Sequence, residues 1–245
     1  MPTMTIRYFA NPSTQNVRDA MAAGLLDCIV TPDAGRRSQV PPTAWICADN
    51  ACFGKGYPGD DKWFAWLQTL PAERCRFATA PDVVGDAAAT LVRSLPLLAK
   101  IRSIGLPAAY VAQNGSDTTP PPWGAFDVLF LGGSPECLRC GYIHPIDAPK
   151  PPRGCPVLCP SCHRPVTEWK EGAIARGLVA EAKAVGLQVH MGRVNGGGRL
   201  QYAEAIGCDS VDGTYIIFGP DINLPKVLGW LRDVNSQHAF FGGSS

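Results

Sequence analysis

The sequence RFATAPDVVGDAAATLVRSLPLLAKIRSIGLPAAYVA, residues 76–112, contains the pattern that decides the predicted fold. Two short apolar runs, Arg76–Ala80 and Ala108–Ala112, flank a segment with apolar residues at helical spacing, Val83–Ile104. Gly105 follows that segment directly, at the position where a glycine commonly ends a helix. Continuous apolar runs of this length are typical of parallel strands that are covered on both faces. The stretch therefore predicts a strand–helix–strand unit of an α/β fold.

The same alternation extends to both sides of this unit. Apolar runs predict six further strands, at Thr5–Phe9, Leu25–Val30, Ala44–Ala48, Val128–Leu131, Gln188–Met191 and Ser210–Asp212. Helical patterns occupy Glu171–Val185, Leu200–Ile206 and Asn223–Asn235. Eight such alternations in 245 residues predict a single (β/α)8 TIM-type barrel over residues 1–245, because this fold needs about 250 residues. An open doubly wound sheet is the alternative, although Ala10-Asn11-Pro12 replaces the glycine-rich turn expected after its first strand.

The composition narrows the possible function classes. Hydrophobic residues make up 46% of the chain, which is enough for a buried core, and the formal net charge is +1. A nucleic-acid partner would therefore need a local basic patch, because the chain has no global basic field. The sequence contains no apolar run of transmembrane length, and Met1 to Ala10 lack the features of a signal peptide. We expect a cytoplasmic protein without a membrane partner.

Four of the ten cysteines form two C-x-x-C pairs that are separated by 18 residues: Cys137 with Cys140, and Cys159 with Cys162. In a reducing compartment this spacing predicts a structural Zn²⁺ site with four thiolate ligands. Three further residues are spare ligand candidates: Cys155, His144 and His163. The surrounding segment, residues 135–165, is rich in proline and lacks helical periodicity. It predicts a zinc-ribbon-like insert after the sixth strand, on the catalytic face of the barrel.

Five basic residues lie in or beside this insert: Arg139, Lys150, Arg153, Arg164 and Lys170. A basic insert on the catalytic face of the barrel can bind the phosphate backbone of a nucleic acid. We therefore expect these side chains to contact nucleic acid. A solvated loop that is stapled by zinc is the alternative interpretation.

Polar residues mark the carboxyl ends of the predicted strands. From the third strand to the eighth they are Asp49-Asn50, Asp82, Gln113-Asn114, Gly132-Gly133, Met191-Gly192-Arg193, and Asp209 with Asp212. In a barrel these ends converge around one pocket, so carboxylates, a carboxamide and a glycine pair are expected to share a cavity. A single aspartate at a strand end often only caps the next helix, as Asp82 or Asp86 can do.

This set of residues suits a purine that is attached to a sugar. A carboxylate can accept two N–H groups from the edge of a guanine-like base, and a carboxamide or a glycine N–H can donate to its O6. A second carboxylate can attack the sugar carbon, and a third can move a proton on the base. A generic glycosidase fits less well, because Gln113 and the Gly132-Gly133 turn suit a purine better than a sugar.

Five motifs in order resemble those of the queuine tRNA-ribosyltransferases, over roughly residues 44–214. Asp49-Asn50-Ala51-Cys52-Phe53 resembles their D-S-G-G-F element, and Gln113-Asn114-Gly115 resembles their Q-G-G element. The other three are Gly132-Gly133, similar to G-G-L, then Met191-Gly192, similar to L-M-G, and residues 207–212, similar to G-x-D-x-x-D.

The DNA branch of this superfamily, the deoxypurine-in-DNA transglycosylases of phages and bacterial modification islands, is the more similar one. Its likeness rests on FATAPDVVGD, residues 77–86, and on Gly132-Gly133-Ser134 joined to Thr167-Glu168-Trp169-Lys170 when the insert is removed. The resemblance implies a glycosyltransferase that exchanges guanine in DNA for a 7-deazaguanine such as preQ0. It also implies a covalent aspartyl-glycosyl intermediate.

The resemblance implies roles for individual residues. Asp212 is expected to be the nucleophile at C1′, and Asp49 the general acid/base for the leaving and entering bases. The residues expected to bind the base are Asp82, Gln113, Gly132, Gly133, Met191, Gly192, Asn50 and Phe53. Among them, Asp82, Gln113 and the glycine backbone are expected to grip the purine edge. Met191 is expected to pack on the base face.

Two departures from the tRNA enzymes favour DNA as the substrate. No zinc ligands follow the eighth strand, and Gly213-Thr214 replaces the P-T-R run of those enzymes. Two alternatives stay open. One is the same base exchange on tRNA, and the other is a non-catalytic zinc-ribbon nucleic-acid-binding protein on an inactive barrel.

Overall fold

The structure is a computed structural model that describes residues 6–32, 40–53, 56–145, 148 and 155–241. The strands in this part of the chain are β1 (Arg7–Ala10), β2 (Asp27–Val30), β3 (Ile46–Ala48), β4 (Cys75–Thr79), β5 (Ala108–Ala112), β6 (Val128–Leu131), β7 (Pro135–Glu136), β8 (Thr167–Glu168), β9 (Gln188–Met191) and β10 (Ser210–Asp212). The α-helices are α1 (Gln15–Ala22), α2 (Asp60–Leu67), α3 (Ala87–Ser103), α4 (Ala173–Ala184), α5 (Gly197–Ala205) and α6 (Pro220–Phe241). Short 3₁₀ turns occupy Ala72–Arg74, Trp169–Glu171 and Tyr215–Phe218.

Eight strands close into an all-parallel barrel in the order β1-β10-β9-β6-β5-β4-β3-β2. The helices pack outside the strands, and together they form the predicted (β/α)8 TIM-type barrel. β7 and β8 form a separate two-stranded sheet between β6 and α4. Within the described residues, no helix combines the length and the apolar character that a bilayer crossing requires.

The eight predicted barrel strands are all present. β5, β6, β9 and β10 have the predicted bounds; β2 and β3 begin two residues later than predicted, and β1 and β4 differ by one or two residues at both ends. α3 begins at Ala87 and not at Val83, because the Asp86 side chain accepts a hydrogen bond from Ala89 N at 2.9 Å and so caps the helix. The sequence analysis missed α1 and α2, which are only eight residues long and show a correspondingly short apolar pattern.

Alternating side chains divide the core into two layers. Inward-facing residues fill the barrel itself, among them Phe9, Phe77 and Phe130. Their strand neighbours, such as Tyr8 and Leu129, pack between the strands and the helices. This alternation follows from the pleat of a strand, and it decides which polar residues reach the interior.

Aspartates at the amino ends of the strands stabilise the fold by binding backbone N–H groups and basic side chains. Asp209 precedes β10; its carboxylate accepts from Val189 N at 2.7 Å and pairs with Lys183 at 2.7 Å. Asp27 and Asp127 make equivalent contacts at β2 and β6. The expectation that Asp209 joins the strand-end cavity was therefore wrong, because Asp209 lies at the opposite end of the barrel.

The insert between β6 and α4 starts and finishes on the antiparallel β7–β8 pair. Two isolated bridges, Glu136–Ile143 and Leu158–Pro165, fold each C-x-x-C pair into a hairpin. Asn114, which follows β5, ties the insert to the barrel, because its amide nitrogen donates to Glu136 Oε2 at 2.8 Å. The insert thus meets the barrel close to the carboxyl ends of β5 and β6.

The four thiols of the two C-x-x-C pairs converge on one point. Their Sγ atoms lie within 4.8 Å of one another, with 3.3 Å between Cys137 and Cys162 and 3.4 Å between Cys140 and Cys159. Tetrahedral zinc with Zn–S bonds of about 2.3 Å holds its sulfurs about 3.8 Å apart, so the thiols fit zinc. Backbone N–H groups of neighbouring residues act on all four thiols in the direction that favours the metal-binding thiolate.

The spare ligand candidates do not join this cluster. Cys155 and His163 are exposed, and His144 is half-buried. In the described part of the chain, the group of metal-ligating side chains consists of the four cysteines alone. The four cysteines therefore remain the predicted metal ligands, and none of the spare candidates replaces one of them.

We predict one tightly bound zinc ion per chain, measured as metal content of the purified protein. Cys137→Ser should abolish this binding, because four-ligand structural sites contribute apparent binding energies of about 10–16 kcal/mol. Loss of zinc should make the segment between β7 and β8 sensitive to protease while the barrel keeps its circular dichroism. Cys155→Ser, an exposed cysteine outside the cluster, is the matched control and should retain zinc. Zinc-free protein whose insert still resists protease would contradict the prediction.

Candidate active site

The carboxyl ends of the barrel strands surround a cavity of about 510 Å³. This volume lies in the range of pockets that bind small organic molecules. The predicted residues that line it are Asp49, Asn50, Phe53, Asp82, Gln113, Gly132, Gly133, Gly192 and Asp212. The structure thus brings together every predicted catalytic and base-binding residue except Met191.

Asp82, just beyond β4, is buried and has a hydrogen bond on each carboxylate oxygen. Oδ1 accepts from Asn50 Nδ2 at 2.8 Å, and Oδ2 accepts from Gln113 Nε2 at 2.6 Å. Burial raises the pKa of Asp82, and the hydrogen bond from Asn50 and the nearby Arg93 act against this rise. The two amides fix the orientation of the carboxylate. The backbone N–H of Asp82 and the thiol of Cys52 also contact this carboxylate.

Gln113 links three loops and has little capacity left for a ligand. Its Oε1 accepts from Gly85 N at 2.8 Å and from Gly133 N at 2.9 Å. Gly132 N donates to Ala112 O at 3.1 Å. The expectation that the Gly132-Gly133 N–H groups grip the edge of a base needs correction, because both are already hydrogen-bonded within the protein. Gln113 acts on Asp82 and on the loops instead.

The two glycines that line the cavity have no room for a side chain. A Cβ at Gly132 would lie 2.6 Å from a methyl carbon of Val111. Gly133 has a positive φ of 75°, and a Cβ there would lie 2.5 Å from the Trp169 ring. The pair therefore allows a close approach of the backbone to its neighbours, which is a common use of glycine.

Asp212 ends β10, and both of its carboxylate oxygens are held. Oδ2 lies 2.9 Å from His190 Nε2, and Oδ1 accepts from Arg193 N at 3.2 Å. An ionised carboxylate can only accept, so His190 Nε2 carries the proton in this contact. His190 Nδ1 lies 2.8 Å from Ser210 Oγ. A Cβ at Gly192 would lie 3.4 Å from Asp212 Oδ2, so this glycine leaves the carboxylate room.

His190 is a site residue that the sequence analysis missed. Its side chain is fully buried, with ring-centroid distances of 5.9 Å to Phe9, 5.0 Å to Phe77 and 4.6 Å to Phe130. Strand alternation was the signal that could have found it. If Met191 faces outward, its neighbour His190 must face into the barrel.

Asp49, which directly follows β3, has fewer partners than the other two acids. Its Oδ1 accepts from Ala51 N at 2.6 Å, and Ala51 has a positive φ of 62°. Burial raises the pKa of Asp49 to about 7, with further contributions from Asp212 and Asp82. Asp49 can therefore give or take a proton near neutral pH, which suits a general acid/base.

Arg193 and Phe53 form part of the cavity wall at its rim. The guanidinium of Arg193 lies 4.3 Å from the centroid of the Phe53 ring, and its Nη2 donates to Gly133 O. Phe53 remains 45% exposed, so its free surface is open to a ligand at the cavity mouth. Arg193 was not predicted as a site residue, although it belongs to the Met191-Gly192-Arg193 strand end.

The burial of two residues contradicts the roles predicted for them. Met191 is fully buried in the layer between the strands and the helices, so it does not pack on a ligand in the cavity. Phe130 and Val111 provide apolar surface there instead. Lys170 is 1% exposed, and its Nζ donates to Gly192 O at 2.8 Å. It therefore cannot contact a phosphate backbone.

The remaining basic candidates of the insert divide into two groups. Arg139 and Arg164 are exposed beside the cysteine cluster, where a nucleic acid can reach them. Lys150 and Arg153 lie outside the described residues.

A comparison with known protein families gives no match, and a comparison with curated proteins gives none either. Solved structures do match. A chain of the BexX/CysO complex of Amycolatopsis orientalis is 14% identical with a TM-score of 0.55, and the match covers 98% of this chain and 93% of that chain. A chain of tryptophan synthase from M. tuberculosis is 11% identical with a TM-score of 0.51, over 96% and 92%. At these identities the likeness shows the barrel fold alone.

Proposed function

We propose that this protein is a transglycosylase that exchanges guanine in DNA for a 7-deazaguanine such as preQ0, through a covalent aspartyl-glycosyl intermediate. One observation supports this proposal above the others. Asp49 and Asp212 face the same cavity from different strands, and their environments differ. Asp212 is oriented by two donors, whereas burial raises the pKa of Asp49 to about 7. Paired carboxyl groups with different environments are typical of acid/base and nucleophile partners.

In the first half of the reaction, an oxygen of Asp212 attacks C1′ of the target nucleotide. The C1′–N9 bond breaks, its electron pair goes to the guanine, and protonated Asp49 supplies the proton for the leaving base. In the second half, the incoming base attacks C1′ and gives its N9 proton to Asp49, and the C1′–O bond returns its electron pair to Asp212. His190 and the Arg193 N–H hold Asp212 in place for both displacements.

Asp82 is the proposed anchor for the base. Its carboxylate lines the cavity in an orientation fixed by Asn50 and Gln113, and it is the proposed acceptor for the N–H groups of a guanine-like edge. Phe130 and Val111 add apolar surface for a flat ring. A target base must leave a duplex to reach this cavity, and we assign the exposed Arg139 and Arg164 to contacts with the backbone.

The first test measures guanine release from guanine-labelled DNA and from matching tRNA, each with preQ0 added. We expect release from DNA, and we expect Asp212→Asn to lower it by roughly 10⁴-fold or more, as loss of a nucleophile does elsewhere. Glu181→Gln, an exposed carboxylate on α4, is the matched control and should behave like the wild type.

The other outcomes of this experiment are informative. Release from tRNA alone would assign the protein to tRNA-guanine exchange. No release from either substrate, with DNA still bound, would make the barrel a binding scaffold and would rule out the catalytic proposal.

A second prediction concerns the pH dependence of Asp49. Single-turnover release needs Asp49 protonated, so its rate should be level below pH 7 and should fall about tenfold per unit above it. Asp49→Asn should be slow and should lose this dependence. A wild-type rate that does not change between pH 6 and pH 9 would contradict the assignment of Asp49 as the acid.

Thermal unfolding provides a check that does not depend on activity. The folded protein raises the pKa of Asp49 from 3.8 to about 7, so ionisation of this group destabilises the fold as pH rises through that window. Asp49→Asn removes this effect. The Tm difference between the variant and the wild type should therefore grow in favour of the variant from about pH 4 to about pH 7.

A further inference from the structure

Lys170 is a buried lysine beside the candidate active site that the proposed mechanism does not use. Its side chain is 1% exposed, and its Nζ donates to Gly192 O at 2.8 Å. The Glu168 carboxylate lies 3.7 Å from the amine and also faces Arg199 at 3.4 Å. In the described part of the chain, the Gly192 carbonyl is therefore the closest acceptor of this lysine.

The Gly192 carbonyl belongs to a peptide group that also contacts the proposed nucleophile. The N–H of the same peptide group is that of Arg193, and it donates to Asp212 Oδ1 at 3.2 Å. Amine, peptide group and carboxylate thus form one continuous chain of hydrogen bonds. Below about pH 7 the Lys170 amine is mostly charged, and a charged donor on the carbonyl polarises the peptide group and strengthens its N–H as a donor.

Packing alone does not require a lysine at this position. Burial lowers the pKa of Lys170 to about 7; nearby Arg193 lowers it further, and Glu168 acts in the opposite direction. Such a buried amine carries a desolvation cost, and an apolar side chain of similar size is often neutral or stabilising in its place.

We infer that Lys170 is a positioning residue that acts on Asp212 through the Gly192–Arg193 peptide group. Its role in catalysis rests on the proposed function. The relay stabilises negative charge on Asp212, and this charge develops as the aspartyl-glycosyl ester breaks. Lys170 therefore assists the second displacement, in which the C1′–O electron pair returns to Asp212, more than the first.

Lys170→Met tests the relay and its consequence separately. The first readout is the amide proton shift of Arg193 in ¹⁵N-labelled protein, which reports the strength of its hydrogen bond and does not depend on any activity. We expect an upfield shift in Lys170→Met, in the same direction as in Asp212→Asn, and no shift in the control Lys226→Met, an exposed lysine on α6. An unchanged Arg193 shift in a folded Lys170→Met protein overturns the relay.

The second readout is the amount of covalent protein–DNA adduct at steady state with preQ0. In Lys170→Met the adduct should accumulate, because its breakdown slows by about tenfold or more while its formation changes little. A variant that forms the adduct as slowly as it resolves it would show that Lys170 only supports packing. If the wild type forms no adduct at all, the proposed function fails, and the Arg193 shift still decides the relay.

Discussion

The parallel pairing of β1 with β10 closes the barrel, and the geometry of the cavity depends on this closure. Its register places Phe9 opposite Asp212, and the next pairing places Ser210 opposite His190. Because side chains alternate along a strand, these four side chains point into the barrel together. The contacts of His190 with Ser210 and Asp212 follow from this register. A slip of one residue would turn Asp212 out of the cavity.

Three carboxyl groups in one small cavity repel one another and lose solvation. The protein supplies them with different numbers of hydrogen-bond donors. Asp82 receives two side-chain amides, and Asp212 receives His190 and a backbone N–H. Among the described residues, Asp49 accepts a hydrogen bond from Ala51 N alone. Burial therefore raises the pKa of Asp49 to about 7. The difference in hydrogen bonding thus separates the acids chemically, although all three are aspartates.

Much of this arrangement could be predicted from the order of residues along the strands. Buried parallel strands are continuous apolar runs, so the sequence predicts the barrel. An aspartate that follows a strand lies at the cavity end of the barrel, whereas an aspartate that precedes a strand lies at the opposite end. Asp212 and Asp209 illustrate the difference, since they lie at opposite ends of β10. Alternation also explains why Met191 faces outward and His190 inward. The burial of Lys170 had no sequence signal, because it depends on where the insert returns to the barrel.

The path of the insert explains how the loop that carries the cysteine cluster can affect the cavity without lining it. β8 returns beside β7 and leads directly into the turn Trp169–Glu171. Trp169 packs where Gly133 lacks a side chain, and Lys170 reaches Gly192. A long loop gains little from its own core and must have its closure entropy offset, which four thiolate–metal bonds can do. The cysteine cluster therefore lies on the same β7–β8 segment that brings Lys170 to Gly192.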